Sequence, residues 1–173
     1  MAEQPWQGDA CSLVDAFRNG DRTPLEELHA SYDAIDASDL NAFSHLHREQ
    51  AEAAAANADI DKPFGGVPIG VKELDQVEGW PDTHACVAYR DAIAPHTGTN
   101  PGRARDRGGA VLMGQTTASE FGGVNLTRTV LNGTTHNPWQ HGTTPGGSSG
   151  GTAAAVAGGL VTLGTGGDGG GSI

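Results

Sequence analysis

Gly65-Gly66-Val67-Pro68-Ile69-Gly70-Val71-Lys72-Glu73 is the stretch on which the fold reading turns. Gly66 to Val71 is a short apolar run that ends on a lysine, and it is too short for an ordinary helix, so it reads as a strand. Downstream, Asn100-Pro101 starts a helix that Gly108-Gly109 ends, and Ala110 to Met113 reads as a second strand. Thr152 to Ala157 suits a small-residue helix and Leu160 to Leu163 a third strand. This alternation with short connections predicts an α/β fold around a mixed or parallel sheet. Upstream, the first sixty residues read as helices. Thr23-Pro24-Leu25-Glu26 is a capping box with proline at the first helical position, and Leu25, Leu28, Tyr32 and Ile35 then recur at helical spacing. Leu13, Val14 and Phe17 mark a short helix closed by Gly20, and Arg48 to Asn57 is rich in the helix formers Ala and Glu. Nothing in these helices carries chemistry; they read as a cover packed on something else. The expected organisation is one domain, with residues 1–62 an N-terminal helical segment and residues 63–173 an α/β portion.

Composition narrows the function classes. The chain has 173 residues, with 10 Lys+Arg against 21 Asp+Glu and a formal net charge of −11. That balance argues against nucleic acid or an anionic membrane surface as the main partner. Cys11 and Cys86 are too few for a disulfide scaffold or a cysteine-based zinc site. No window approaches a membrane span, and Met1-Ala2-Glu3-Gln4-Pro5 has neither the basic nor the apolar region of a signal peptide. The expectation is a soluble, cytoplasmic protein with reduced cysteines, no cofactor and no metal. Glycine is the outlier, at 27 of 173, without collagen's G-X-Y period. From Thr129 to Ile173 the only formal charge is Asp168. The apolar runs Ala153 to Ala157 and Leu160 to Leu163 argue against a flexible linker there, which leaves backbone that must approach something closely or aim its N–H groups at a ligand.

Three readings of the glycines compete. Gly164-Thr165-Gly166-Gly167-Asp168-Gly169 fits G-x-G-x-x-G, but neither the following helix nor the distal acidic residue of a dinucleotide site is present. Gly146-Gly147-Ser148-Ser149-Gly150 fits the nucleophile elbow G-x-S-x-G, yet His141-Gly142-Thr143-Thr144-Pro145 before it cannot be a buried strand, and no histidine follows His141. The third reading joins Ser148 and Ser172, each in a glycine-flanked loop, with Lys72 at the end of a strand. A desolvated lysine loses proton affinity and can act as a neutral base, and Ser–Lys is a known nucleophile–base pairing. Taken alone, a lysine at a strand end is more often a solvated terminus.

Gly65 to Glu73, then Pro145-Gly146-Gly147-Ser148-Ser149-Gly150-Gly151, then Asp168-Gly169-Gly170-Gly171-Ser172-Ile173, in this order and at these spacings, resemble the amidase signature family. Gly114-Gln115-Thr116, Glu120-Phe121, Asn137-Pro138-Trp139 and Leu40-Asn41-Ala42-Phe43 agree as lesser landmarks, so the resemblance covers almost the whole chain. It implies the family's fold, a mixed central sheet flanked by helices and incomplete in this chain, because family members continue for several hundred residues past the nucleophile. It also implies a Ser–cis-Ser–Lys triad: Ser172 as nucleophile, Ser148 after a cis peptide bond as proton relay, and Lys72 as base. The N–H groups of Gly169, Gly170, Gly171 and Ser172 would form the oxyanion hole, with Ser149 and Asp168 supporting. Many members carry Arg at the place of Thr143, Lys at that of Gln115 and Thr at that of Gly167. These departures bear on substrate class.

The implied activity is hydrolysis of a carboxylic amide through an acyl-enzyme, absent from the isolated chain. The implied partners are a small-molecule amide, no nucleic acid and no membrane, together with a second copy of the chain or a complementing C-terminal portion. An amidotransferase A-type subunit that releases ammonia from glutamine for a partner, and an inactive remnant, are the other readings. Among the remaining residues, His45 and His47 are expected at the surface, and His136 and His141 as loop residues without a chemical role.

Overall fold

The computed structural model describes residues 4–173. Helix α1 (Ala10–Asn19) is capped by Asp9, whose carboxylate accepts from the Ser12 N–H, and is closed by Gly20 at φ 77°. Helix α2 (Pro24–Ala37) carries the expected capping box: Glu26 accepts from the Thr23 N–H at 2.7 Å while Thr23 Oγ1 accepts from the Glu26 N–H at 3.2 Å. Then come β1 (Phe43–Leu46), α3 (Arg48–Ala56), β2 (Pro68–Lys72), α4 (Thr99–Asp106), β3 (Val111–Thr116), a small β4 (Arg128–Thr129) and β5 (Gly133–Thr134) hairpin, α5 (Gly150–Ala157) and β6 (Leu163–Gly164).

The main sheet has the order β1-β3-β2-β6. β2 runs parallel to both β3 and β6, and β1 runs antiparallel to β3. Every residue of β2 and β3 is buried, as expected for central strands covered on both faces. The two-residue alternation of β3 divides the core. Val111 and Met113 face a cluster built by Leu28 and Tyr32 of α2, Ala51 and Ala55 of α3, and Ala154 and Ala155 of α5. Leu112 joins Val67, Ile69, Val71 and Trp80 against Leu13, Val14 and Phe17 of α1. The N-terminal helices thus cover the sheet, as their lack of chemistry predicts.

Three sequence expectations need correction. The helical N-terminal segment also contributes β1, an edge strand whose four residues are all half-buried. The strand expected at Leu160 to Leu163 shrinks to Leu163–Gly164: Leu160 and Val161 are buried, but in the helix-side cluster before pairing begins. His45 and His47 are not surface residues. Both are half-buried, the His47 ring stacks on Trp80 at 3.8 Å, and burial lowers the proton affinity of both, that of His47 to about 4.

Candidate active site

The carboxyl ends of three parallel strands, β2, β3 and β6, converge on one place, the usual location of a site in such a sheet. Lys72 is the last residue of β2 and is 3% exposed. Its Nζ lies 2.7 Å from Ser148 Oγ, 2.8 Å from Ser149 Oγ and 3.2 Å from the Gly167 carbonyl. Burial pushes the Lys72 ammonium below a lysine's usual range, while Asp75 and Asp168 favour its charge and limit the shift. The lysine backbone is fixed as well, since its N–H donates to Thr165 Oγ1 at 2.8 Å and that hydroxyl donates to Asp75 at 2.8 Å.

Ser148 and Ser149 enter from the loop that begins α5, and the peptide bond between Gly147 and Ser148 is cis. Two glycines allow the close fit. A Cβ on Gly147 would meet the Leu126 N and Asn125 C atoms at 2.9 and 3.0 Å. A Cβ on Gly151 would collide with the Thr117 backbone, to which the Gly151 N–H donates at 2.9 Å. Thr117 directly follows β3, so the serines are registered to the sheet rather than suspended from it.

Ser172 lines a cavity of about 420 Å³ together with Gly147, Ser149, Val156 and Ile173. Its carbonyl accepts from the Ser149 N–H at 3.2 Å. Ser149 therefore touches both residues, through its hydroxyl to Lys72 and through its backbone to Ser172. Among the described residues no hydrogen bond joins the Ser172 hydroxyl to Ser148. Asp168 organises the glycine loop: its carboxylate accepts from the N–H groups of Gly171 and, at 3.1 Å, Ile173. Backbone donors from Gly171, Ser172 and Ile173 hold that carboxyl below the usual carboxylate range. The Gly171 N–H, one of the four expected oxyanion donors, is thus turned toward Asp168 here.

The sequence reading passed over Glu73, although it follows Lys72 directly. It is 1% exposed, accepts from the Ala118 N–H at 3.1 Å and from Asn132 Nδ2 at 2.9 Å, and burial raises its proton affinity. It ties the hairpin loop to the strand that carries the lysine. Thr165 was also missed. His136 and His141 stack on each other at 4.0 Å and His141 faces Asp39 at 3.4 Å, away from the serines' hydrogen-bond network. Among the described residues no group of three or more His, Cys, Asp or Glu side chains is placed to hold a metal ion, and no helix is long and apolar enough to cross a membrane.

Comparison with known proteins finds relatives over most of the chain. A family model described as Amidase matches residues 26–173. The chain is 36% identical over 170 residues to the A-type subunit of the glutamyl-tRNA(Gln) amidotransferase of Deinococcus radiodurans, covering 95% of this chain and 35% of that one. The solved structure of 6-aminohexanoate cyclic dimer hydrolase superimposes with a TM-score of 0.82 at 30% identity, covering 89% of this chain and 32% of that one. A crystal structure described as an amidase gives a TM-score of 0.85 at 28% identity, over 96% of this chain and 40% of the other. The chain spans about a third of the length of the curated relatives it matches. With the family model matching most of its length, the chain belongs to the amidase signature family.

Proposed function

We propose that these residues are the nucleophile-bearing part of a single amidase domain that hydrolyses a small-molecule carboxylic amide. The observation that carries the reading is the position of the Lys72 Nζ, buried and within hydrogen-bond distance of both Ser148 and Ser149. A neutral lysine amine has one lone pair and two N–H bonds. It can donate to Ser149 and the Gly167 carbonyl while accepting the Ser148 proton. Ser148, so polarised, takes the proton of Ser172. A serine hydroxyl is a weak nucleophile until a base relieves it of that proton. Ser172 Oγ then bonds to the amide carbon, and the C–N bond breaks as the proton returns through Ser148 to the leaving nitrogen. Water, activated by the same relay, cleaves the ester and regenerates Ser172. The oxyanion formed in each half-reaction would be met by the N–H groups from Gly169 to Ser172, each such donor typically contributing ~2.7–4 kcal/mol. This requires the Gly171 and Ser172 N–H groups to turn from Asp168 toward the substrate.

In this reading residues 1–62 cover the sheet, residues 63–173 supply the triad, and a complementing C-terminal portion completes the substrate pocket, so the isolated chain is inactive. A second reading is favoured by the likeness to the A-type subunit of an amidotransferase: the same triad would release ammonia from glutamine for a partner. The test is turnover by the full-length protein of simple amides and of glutamine, with and without Ser172→Ala and Lys72→Ala. Loss of hydrolysis in both variants supports the triad, and near-normal turnover by Lys72→Ala contradicts it. Glutaminase activity that depends on an added partner would move the assignment to the second reading.

A further inference from the structure

Lys72 and Ser148 are 76 positions apart in the chain, yet the proposed relay needs their side chains held at the 2.7 Å observed. Ser148 hangs from Thr117-Ala118-Ser119, the segment that directly follows β3. The Ser119 N–H donates to the Ser148 carbonyl at 3.3 Å, and the Thr117 carbonyl accepts from the Gly151 N–H at 2.9 Å. Both ends of the serine turn are thus carried by the same three residues, each no more than 1% exposed. The middle one, Ala118, gives its N–H to Glu73 Oε1 at 3.1 Å. Glu73 directly follows Lys72, and its own N–H donates to the Thr116 carbonyl at 3.0 Å. One side chain therefore joins the residue beside the lysine to the shelf that carries Ser148.

A carboxylate is a costly group to bury in that place. Glu73 is 1% exposed, and no cation is among the groups that act on its proton affinity. Packing alone would be served as well by an apolar side chain. What the carboxylate adds is direction. Asn132 Nδ2 lies 2.9 Å from both of its oxygens. Asn132 is itself fixed, because its N–H donates to Thr129 Oγ1 at 2.9 Å and its carbonyl accepts from Asn41 Nδ2 at 2.7 Å. From this arrangement we infer that Glu73, aimed by Asn132, is a positioning residue that holds the Thr117–Ser119 shelf and, through it, Ser148 at hydrogen-bond distance from Lys72. The inference rests on the amidase reading above and names a further residue that its proton relay needs.

The experiment exchanges acceptor and donor across the pair. Asn132→Asp sets a second carboxylate against Glu73, and Glu73→Gln added to it restores a donor facing an acceptor while Gln keeps an oxygen for the Ala118 N–H. Turnover of a simple amide, amide hydrogen exchange and denaturation midpoints are measured in full-length protein. Asn132→Asp should lower kcat about 10²-fold with KM near that of wild type, the effect of a misplaced reacting group. Exchange at the Ser119 and Gly151 N–H groups should quicken. The double variant should recover most of kcat and slow the exchange again. If Asn132→Asp does not fold, Glu73→Gln alone serves: Asn132 can turn its amide to match, and a smaller fall in kcat with faster exchange at Ser119 is expected. A lowered midpoint with kcat unchanged, a double variant that folds but is as slow as Asn132→Asp, or Glu73→Gln with wild-type kcat and exchange overturns the proposal. If wild type turns over no amide while the exchange pattern holds, the amidase reading falls and the brace stands.

Discussion

Lys72 and Ser172 each share a hydrogen bond with Ser149, yet the chain holds them in opposite ways. The lysine ends a strand in which every residue is buried, its backbone and its side chain each carry hydrogen bonds, and the serines it touches are locked to the sheet through Thr117. The segment Gly169 to Gly171 is exposed, and a Cβ added at any of the three would have no neighbour within 4 Å. What orders it is one carboxylate, Asp168. Among these residues Lys72 is thus held by the sheet, while Ser172 is held by a few hydrogen bonds, from Ser149 and within the Asp168 loop. On the proposed mechanism, Lys72 as base needs constant desolvation, whereas Ser172 as nucleophile and its oxyanion donors must shift between two covalent states.

Predictions that break this contrast rank by how deeply they enter the fold. Gly151→Ala should have the largest effect on stability, because the added methyl meets backbone rather than a side chain that can move. A loss of about 1–3 kcal/mol of stability is expected in chemical denaturation, whereas Gly169→Ala should leave the denaturation midpoint in place. Lys72→Ala should lower amide turnover by about 10²–10⁴-fold, the usual contribution of a positioned base, with a fold still intact by circular dichroism. Asp168→Asn should leave stability nearly untouched and instead loosen the glycine loop, read as faster amide hydrogen exchange at Gly171 and Ile173. Because the Asp168 carboxyl lies below its ordinary range, the order it gives is present above that range and is lost as pH falls through the lowered value. Asp75→Asn should have a smaller effect. It removes a charge that favours protonated Lys72, so the acidic limb of the kcat/KM profile should move to lower pH.

His47, stacked on Trp80, gives a further test of how burial sets a proton affinity. The neutral ring is favoured in the folded state by burial and by its neighbour His45, with a hydrogen bond to Gln115 opposing. The unfolded chain binds the proton near 6.5 and the folded one near 4, so stability should fall as pH drops through that window and level off below it. His47→Gln should flatten the slope, as measured by denaturation midpoints across the window.

How far the sequence reached follows from what each feature depends on. The capping box of α2, the strand ending at Lys72 and the small-residue helix after Ser149 rest on local chemistry, and each was legible. The meeting of Lys72 with Ser148 and Ser149 was legible only through the family pattern, because no local signal links residues so far apart in the chain. β1 was not legible: Phe43-Ser44-His45-Leu46 is a half-buried edge with no clean alternation, inside a helical stretch. Leu160 and Val161 misled because burial and strand pairing are separate demands, and a helix-side cluster satisfied the first without the second. Glu73 was hidden by its partners, Ala118 and Asn132, which come from loops far along the chain.

The central claim is that buried Lys72 activates Ser172 through Ser148. It is tested most directly by treating the full-length protein with a fluorophosphonate and locating the adduct by mass spectrometry, in wild type and in Lys72→Ala. The account predicts a single adduct on Ser172 that disappears in the variant. An adduct on Ser148 or Ser149, or equal labelling of Ser172 without the lysine, would contradict it.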